Sequence, residues 1–348
     1  MVKEVVFAVP GDLATPTGGY TYDRRIIAEL PALGWRAQVL DLGDGFPRPT
    51  ATTRAAACAQ LAALPSGRPV VIDGLAFGVL PDAAGTLHSH LPLVALVHHP
   101  LALESGLSAG EAAALRQSER AALACARRVI VTSAATARLL AADYDLPADR
   151  LAVVEPGTDR SEAPPRASED AVALLSVGAV VPRKGYDVLV AALARLEDLH
   201  WRLIIAGDCA RSPEAARRLA ADIARLGLAE RVTMLGAVPS DRLATLYAAA
   251  DLFVLPSRFE GYGMAYAEAI AHGVPVVGTT TGAIPETVPA GAGVLVPPDD
   301  VDALAAALRR LIERPDERRR LAAGARATNF PSWRDQSALF VRVLESLA

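Results

Sequence analysis

Short apolar runs rich in β-branched residues alternate with helical patterns from one end of the chain to the other, which predicts a parallel-sheet α/β architecture. In the first half these runs predict strands over Val5–Val9, Ala37–Leu40, Val70–Ile72, Leu93–Val97, Val129–Val131 and Leu151–Val154, with helices over Ala112–Ala126 and Ser133–Asp143. A polar, proline-broken stretch from Gly157 to Asp170 follows and reads as an interdomain linker. The rhythm then restarts, with strands expected over Ala173–Val177, Arg202–Ile205, Arg231–Leu235, Leu252–Leu255, Val274–Val277 and Gly293–Val296. Helical patterns in this half cover Asp187–Leu196, open at about Gly263 and near Val301, and cover Asp316–Thr328 and Trp333–Leu347. The expected fold is therefore α/β: two doubly wound, Rossmann-like domains, 1–158 and 171–330, joined by a linker over 159–170. Facing each other, they would gather their strand C-termini around a central cleft.

Composition narrows the class. A chain of 348 residues is too long for one ordinary core, and 52% hydrophobic with 21% charged residues describes a folded protein. Much of the apolar fraction is alanine, and no stretch reads as the roughly 18–20 strongly apolar residues a membrane span needs. The opening Met1-Val-Lys-Glu-Val-Val-Phe reads as a first strand rather than a signal peptide. Three scattered cysteines, Cys58, Cys125 and Cys209, suggest neither a disulfide framework nor a zinc site, so a cytoplasmic location is expected. A net charge of −4 argues against nucleic acid as a partner. Residues 1–158 hold 13 Lys/Arg against 15 Asp/Glu, so at most peripheral contact with the inner face of a membrane is expected. Arg116, Arg120, Arg127 and Arg128 are the residues that could make it, the plain alternative being a solvated helix surface.

The candidate chemistry lies where strands end. Ser257-Arg-Phe-Glu-Gly-Tyr-Gly-Met-Ala-Tyr-Ala-Glu268 places Glu260 in a glycine-broken loop and Glu268 in the helix behind it. Gly261, Tyr262, Gly263 and Met264 would bring backbone amides and a positive helix end to an anion. The plain alternative is a strand-to-helix turn with an acid offsetting the dipole. Arg183 and Lys184 precede another helix, where adjacent cations suit a diphosphate; a solvated turn is the alternative. Gly236 ends a strand, and Gly18 and Gly19 follow the first strand where a helix N-terminus is expected. His98 and His99 close another strand, and of the two His98 is the candidate for the site. Asp300-Val-Asp302 spells a metal-binding Asp-x-Asp, but Pro297-Pro298 before it and an alanine-rich helix after it read as helix capping. His88 and His90 lack a third ligand nearby and read as surface residues, so no metal site is expected.

Across Val232–Pro297 the chain resembles family 4 of the retaining glycosyltransferases, which have the GT-B fold. The resemblance rests on Leu235-Gly236, Ala250-Asp-Leu-Phe-Val-Leu-Pro-Ser257, Glu260 with Glu268, Gly273-Val-Pro-Val-Val277 and Gly282 through Glu286, in that order. It implies that the second domain binds a UDP- or GDP-linked sugar, with Glu268 on the ribose and Glu260 near the donor sugar. It further implies that the amides of Gly261 to Met264 meet sugar hydroxyls and phosphate, and that Lys184 binds phosphate. Gly18 and Gly19 match the first-domain glycine loop, and His98 the histidine beside the donor sugar. The segment 331–348 resembles the helix that returns to complete the first domain. The family often carries an arginine five positions before the lysine; here that position is Ala179, and Arg183 is the neighbouring cation.

The expected activity is retaining transfer of a sugar to the hydroxyl of a glycan, lipid-linked or small-molecule acceptor, with neither cofactor nor metal. Arg183, Lys184 and the helix end at Gly263 would stabilise the departing diphosphate, and Glu260 would position rather than attack. A nucleotide-sugar epimerase, a sugar phosphorylase and a non-enzymatic two-lobed sugar-binding protein are the competing readings.

Overall fold

The structure is a computed structural model that describes residues 2–104, 106–160 and 171–347. Most of the expected linker, 161–170, lies outside the described residues. The chain divides into two compact units, one of Met1–Gly157 with Pro331–Ala348 and one of Thr158–Phe330.

In the first unit six parallel strands are β1 (Lys3–Val9), β2 (Trp35–Asp41), β3 (Val70–Asp73), β4 (Leu93–Val97), β5 (Arg128–Val131) and β6 (Leu151–Val153), in the order β2-β1-β3-β4-β5-β6. The continuous apolar character of β1, β3 and β4 follows from burial on both faces: Val5 to Val9 are all at most 1% exposed. The order reverses between β1 and β3, which makes their C-terminal edge the topological switch point. The helix Trp333–Glu345 belongs to this unit, started by a Ser332–Asp335 capping box. Its Phe340 stacks on Phe7 at 5.6 Å and its Trp333 meets Tyr22 edge-on. Gly157 lies where a Cβ would come within 2.3 Å of the Trp333 nitrogen, so the chain crosses this helix only as glycine.

The second unit repeats the plan with β7 (Val172–Val177), β8 (Trp201–Ala206), β9 (Val232–Gly236), β10 (Leu252–Val254), β11 (Val276–Thr279) and β12 (Gly293–Val296), in the order β12-β11-β10-β7-β8-β9. Its switch point lies between β7 and β10, which pair in parallel. All twelve expected strands are present. The expected Val274–Val277 strand starts later, at Val276, because Pro275 has no N–H to donate to the ladder. The expected Ala112–Ala126 helix runs instead over Ala109–Ala124, since Ser108 and Glu111 form a capping box ahead of it. No described helix is long and apolar enough to cross a membrane.

Candidate active site

The second unit builds its site from the loops that leave β7 and β10. After β7 a single tight turn, Pro182–Lys184, carries both cations and ends in Gly185 with φ +69°. A Cβ on Gly185 would stand 2.1 Å from the Pro256 carbonyl, so the two loops touch here only because that side chain is missing. The Arg258 N–H donates to the Arg183 carbonyl at 2.7 Å and fastens them.

Glu260 is the point on which these loops converge. Lys184 Nζ and Ser257 Oγ both donate to its Oε1 at 2.6 Å, and Arg183 Nη1 donates to Oε2 at 3.2 Å. Arg183 Nη1 also reaches the Phe259 carbonyl at 2.8 Å. Glu260 is 7% exposed. Burial alone would raise its carboxyl, but Lys184, then Arg183, and the hydrogen bonds from Lys184 and Ser257 overcome that and hold it at about 2. Its carbonyl accepts from the Ala283 N–H at 3.0 Å, an approach possible because Gly282 (φ +55°) has no Cβ to meet that oxygen. Two cations around one carboxylate leave a net positive cluster.

Gly263 then turns the chain into the helix Met264–Ala271 with φ +97°. Gly261, Tyr262 and Gly263 are buried, Met264 is half-buried, and Thr287 Oγ1 holds the Tyr262 carbonyl at 2.6 Å. The N-terminal end of this helix, where the dipole is positive, therefore follows the cation cluster directly. Glu268 lies one turn further in a different setting. It accepts from Tyr247 Oη at 2.9 Å, and that ring stacks on His272 at 4.9 Å. Burial pushes the Glu268 carboxyl up to about 7; the Tyr247 bond opposes this and the Asp159 charge adds to it. The two glutamates thus differ in charge state, one held ionised and one titrating near neutrality.

The first unit has its own constellation at its switch point. Thr17 caps the helix Gly18–Glu29, so Gly18 and Gly19 are its first two residues. A Cβ on Gly19 would lie 3.0 Å from His98 Cδ2, so the glycine loop and His98 are neighbours. His98 Nε2 lies 3.1 Å from Asp23 Oδ1 and 3.9 Å from Asp73 Oδ2. These three are the group of metal-type ligands found within 4.8 Å of one another among the described residues.

Other sequence candidates stay apart. Gly236 ends β9 with φ +72° and open space around its Cβ position, two strands away from β7, and its carbonyl accepts from the Gly207 N–H at 2.8 Å. Asp300 caps the helix Val301–Glu313 through the Ala303 N–H at 2.8 Å, and Asp302 pairs with Arg195. His88 is exposed, with Nδ1 on the Gly85 carbonyl. Arg116 and Arg120 line a shallow depression of about 400 Å³ with Asp143, and Arg120 is paired to Asp145. Sequence reasoning passed over Ser257, Tyr247, Asp23 and Asp73. Ser257 stood in the quoted motif three residues before Glu260, but Asp23 and Asp73 meet His98 only through the β1/β3/β4 order.

A family model described as "Glycosyl transferases group 1" matches residues 158–328, and one described as "Glycosyltransferase Family 4" matches 18–162. An MMP alpha-(1->4)-mannosyltransferase of Mycolicibacterium hassiacum is 32% identical over 274 residues, 73% of this chain and 65% of that protein. The chain spans 52% to 65% of the length of the first three curated relatives it matches. Among solved structures, sucrose-phosphate synthase from Thermosynechococcus elongatus superposes with a TM-score of 0.84 over 99% of both chains at 22% identity. Anabaena HepE, solved in complex with UDP-glucose, does so at 0.77 over 99% of both chains at 21% identity. At such identities these two likenesses establish the fold.

Proposed function

Because this chain belongs to the family 4 glycosyltransferases and has their two-unit GT-B fold, we propose that it moves a sugar from a UDP- or GDP-linked donor to an acceptor hydroxyl with retention of anomeric configuration. The product belongs to glycan, polysaccharide or glycolipid synthesis. The observation that carries the reading is the Lys184–Glu260–Arg183 cluster, net positive and followed at once by the N-terminus of the helix Met264–Ala271.

Breaking a sugar–phosphate bond leaves positive charge on the sugar and adds negative charge to the departing diphosphate. Lys184, Arg183 and the amides from Gly261 to Met264 are the groups placed to take up that negative charge, and preorganised donors of this kind lower the barrier. They do so without a metal in this reading. Glu260 is ionised throughout the working range, so it cannot serve as a general acid. With both oxygens accepting hydrogen bonds it is also a poor nucleophile, which assigns it to orienting the cations and the donor sugar. Retention then comes from attack of the acceptor on the face the diphosphate leaves. Glu268 is assigned to the ribose hydroxyls, and Gly18, Gly19 and His98 to the donor sugar through the family resemblance. The UDP-glucose bound by HepE favours a uridine nucleotide among the donors to be tried first.

Incubation with α-linked UDP- and GDP-hexoses and a panel of lipid-linked, oligosaccharide and small-molecule acceptors, followed by proton NMR of the anomeric signal, tests the proposal. An α-linked product that forms only when an acceptor is present is expected. A β-linked product would refute retention, isomerised donor without acceptor would indicate an epimerase, and a requirement for free phosphate a phosphorylase.

A further inference from the structure

Two carboxyl groups are buried against one imidazole in the first unit. Asp23 is fully buried and Asp73 is 2% exposed, while the His98 side chain is 20% exposed. Asp23 Oδ2 and Asp73 Oδ2 are buried without a hydrogen-bond partner among the described residues. The other oxygens are committed: Asp23 Oδ1 to His98 Nε2 at 3.1 Å, and Asp73 Oδ1 to the Leu75 N–H at 2.7 Å. Placing two uncompensated carboxylates this deep is costly unless a cation sits between them or one of them takes up a proton. The imidazole, if doubly protonated, is that cation.

The surroundings hold the ring in one place. Tyr22 meets it edge-on at 5.2 Å, Gly19 packs on its Cδ2 edge, and Thr132 Oγ1 donates to the His98 carbonyl at 3.4 Å. The titratable groups that face it are Asp23 and Tyr22 from the helix Gly18–Glu29 and Asp73 from the end of β3. Tyr22 is kept a neutral phenol by burial and by the Asp23 charge, and it donates to the Val154 carbonyl at 3.0 Å.

We propose that Asp23 and Asp73 are positioning residues that fix His98 as an imidazolium, with Nε2–H given to Asp23. His98 then carries a positive charge below its titration midpoint rather than standing as a neutral hydrogen-bonding ring. Burial pulls the imidazole down, but the Asp23 charge and hydrogen bond, joined by Asp73, outweigh it and leave His98 above the ordinary histidine value. Burial and the Asp23 charge, opposed by His98, raise Asp73 to about 7, so this carboxyl too exchanges a proton near neutrality. The assignment of His98 to the donor rests on the proposed glycosyltransferase reading; its charge state does not.

The experiment is an NMR titration of the histidine side chains in the whole chain without substrate, with the His98 signal identified by its loss in His98→Gln. In the wild type the midpoint is expected above about 6.5. Asp23→Asn, which keeps the shape and an acceptor but removes the charge, should lower the midpoint by about one pH unit or more, and Asp73→Asn by less. The remaining histidine signals should stay unmoved in both variants, which reports that each is folded. A wild-type midpoint at or below 6.5, or one that Asp23→Asn and Asp73→Asn both leave unchanged, would overturn the proposal. So would a His98 signal that titrates only after treatment with a chelator, since a metal ion would then be the cation between the carboxylates. If the donor reading also holds, the alkaline limb of the transfer rate in Asp23→Asn moves to lower pH with the NMR midpoint. A shifted midpoint in a chain that transfers no sugar would leave the charge assignment standing and remove only the glycosyltransferase reading.

Discussion

Both oxygens of Glu260 are committed to donors, and this decides how its loss should register. Its carboxyl stands at about 2 in the folded chain against an ordinary value of 4.5. The stabilisation it contributes is therefore complete above pH 4.5 and lost as pH falls through about 2. Glu260→Gln should cost about 3 kcal/mol in urea unfolding at pH 7. The gap to wild type should close as the pH is lowered through that window; a gap constant from pH 7 to 3 would argue against the charge cluster. Glu268 has the opposite sign. Its carboxyl is raised to about 7, so the free protein holds a proton there that ribose hydroxyls donating to the carboxylate would expel. Affinity for a nucleotide-sugar should rise with pH up to about 7 and then level, and Glu268→Gln should flatten that rise. Calorimetry in buffers of different ionisation enthalpy measures the released proton directly.

At the scale of elements, the twelve strands were legible because parallel strands buried on both faces must be continuous apolar runs, whatever their neighbours. Their ends were less so, since termination depends on single residues such as Pro275. The helix Ala51–Ala62 was not singled out because only its Ala57 and Leu61 are buried, too little to print a stripe on an alanine-rich segment. The Glu260 loop was legible as a motif, and its contact with Lys184 followed once β7 and β10 proved adjacent. The Asp23–Asp73–His98 trio was not, because its members lie on three elements and only the strand order joins them. Two glycines govern how the site loops meet. Gly282→Ala would set a Cβ 2.4 Å from the Glu260 carbonyl, and Gly185→Ala one 2.1 Å from that of Pro256. Each should cost about 3 kcal/mol or more by thermal or urea unfolding. Gly34→Ala, at φ +80° but with open space around it, should cost only about 1 kcal/mol. Equal costs at the three positions would show that backbone strain alone, not the meeting of the loops, sets the penalty.

At the scale of the molecule, two sheets of the same parallel plan each place chemistry at the C-terminal edge of their switch point. The family follows from matches spanning both units; donor, acceptor and stereochemistry are the proposed part. In the proposed reading the negative charge of the donor is met by Lys184, Arg183 and backbone amides, so adding a chelator should leave the donor-induced rise in melting temperature unchanged. Calorimetric titration of the wild-type chain and of Lys184→Ala with UDP and with GDP tests the central claim most directly. One of the two nucleotides should bind the wild type, and Lys184→Ala should weaken it by about tenfold or more, the loss of one charge-assisted contact to phosphate. Equal affinity in both proteins, or no binding of either nucleotide to the wild type, would contradict the account.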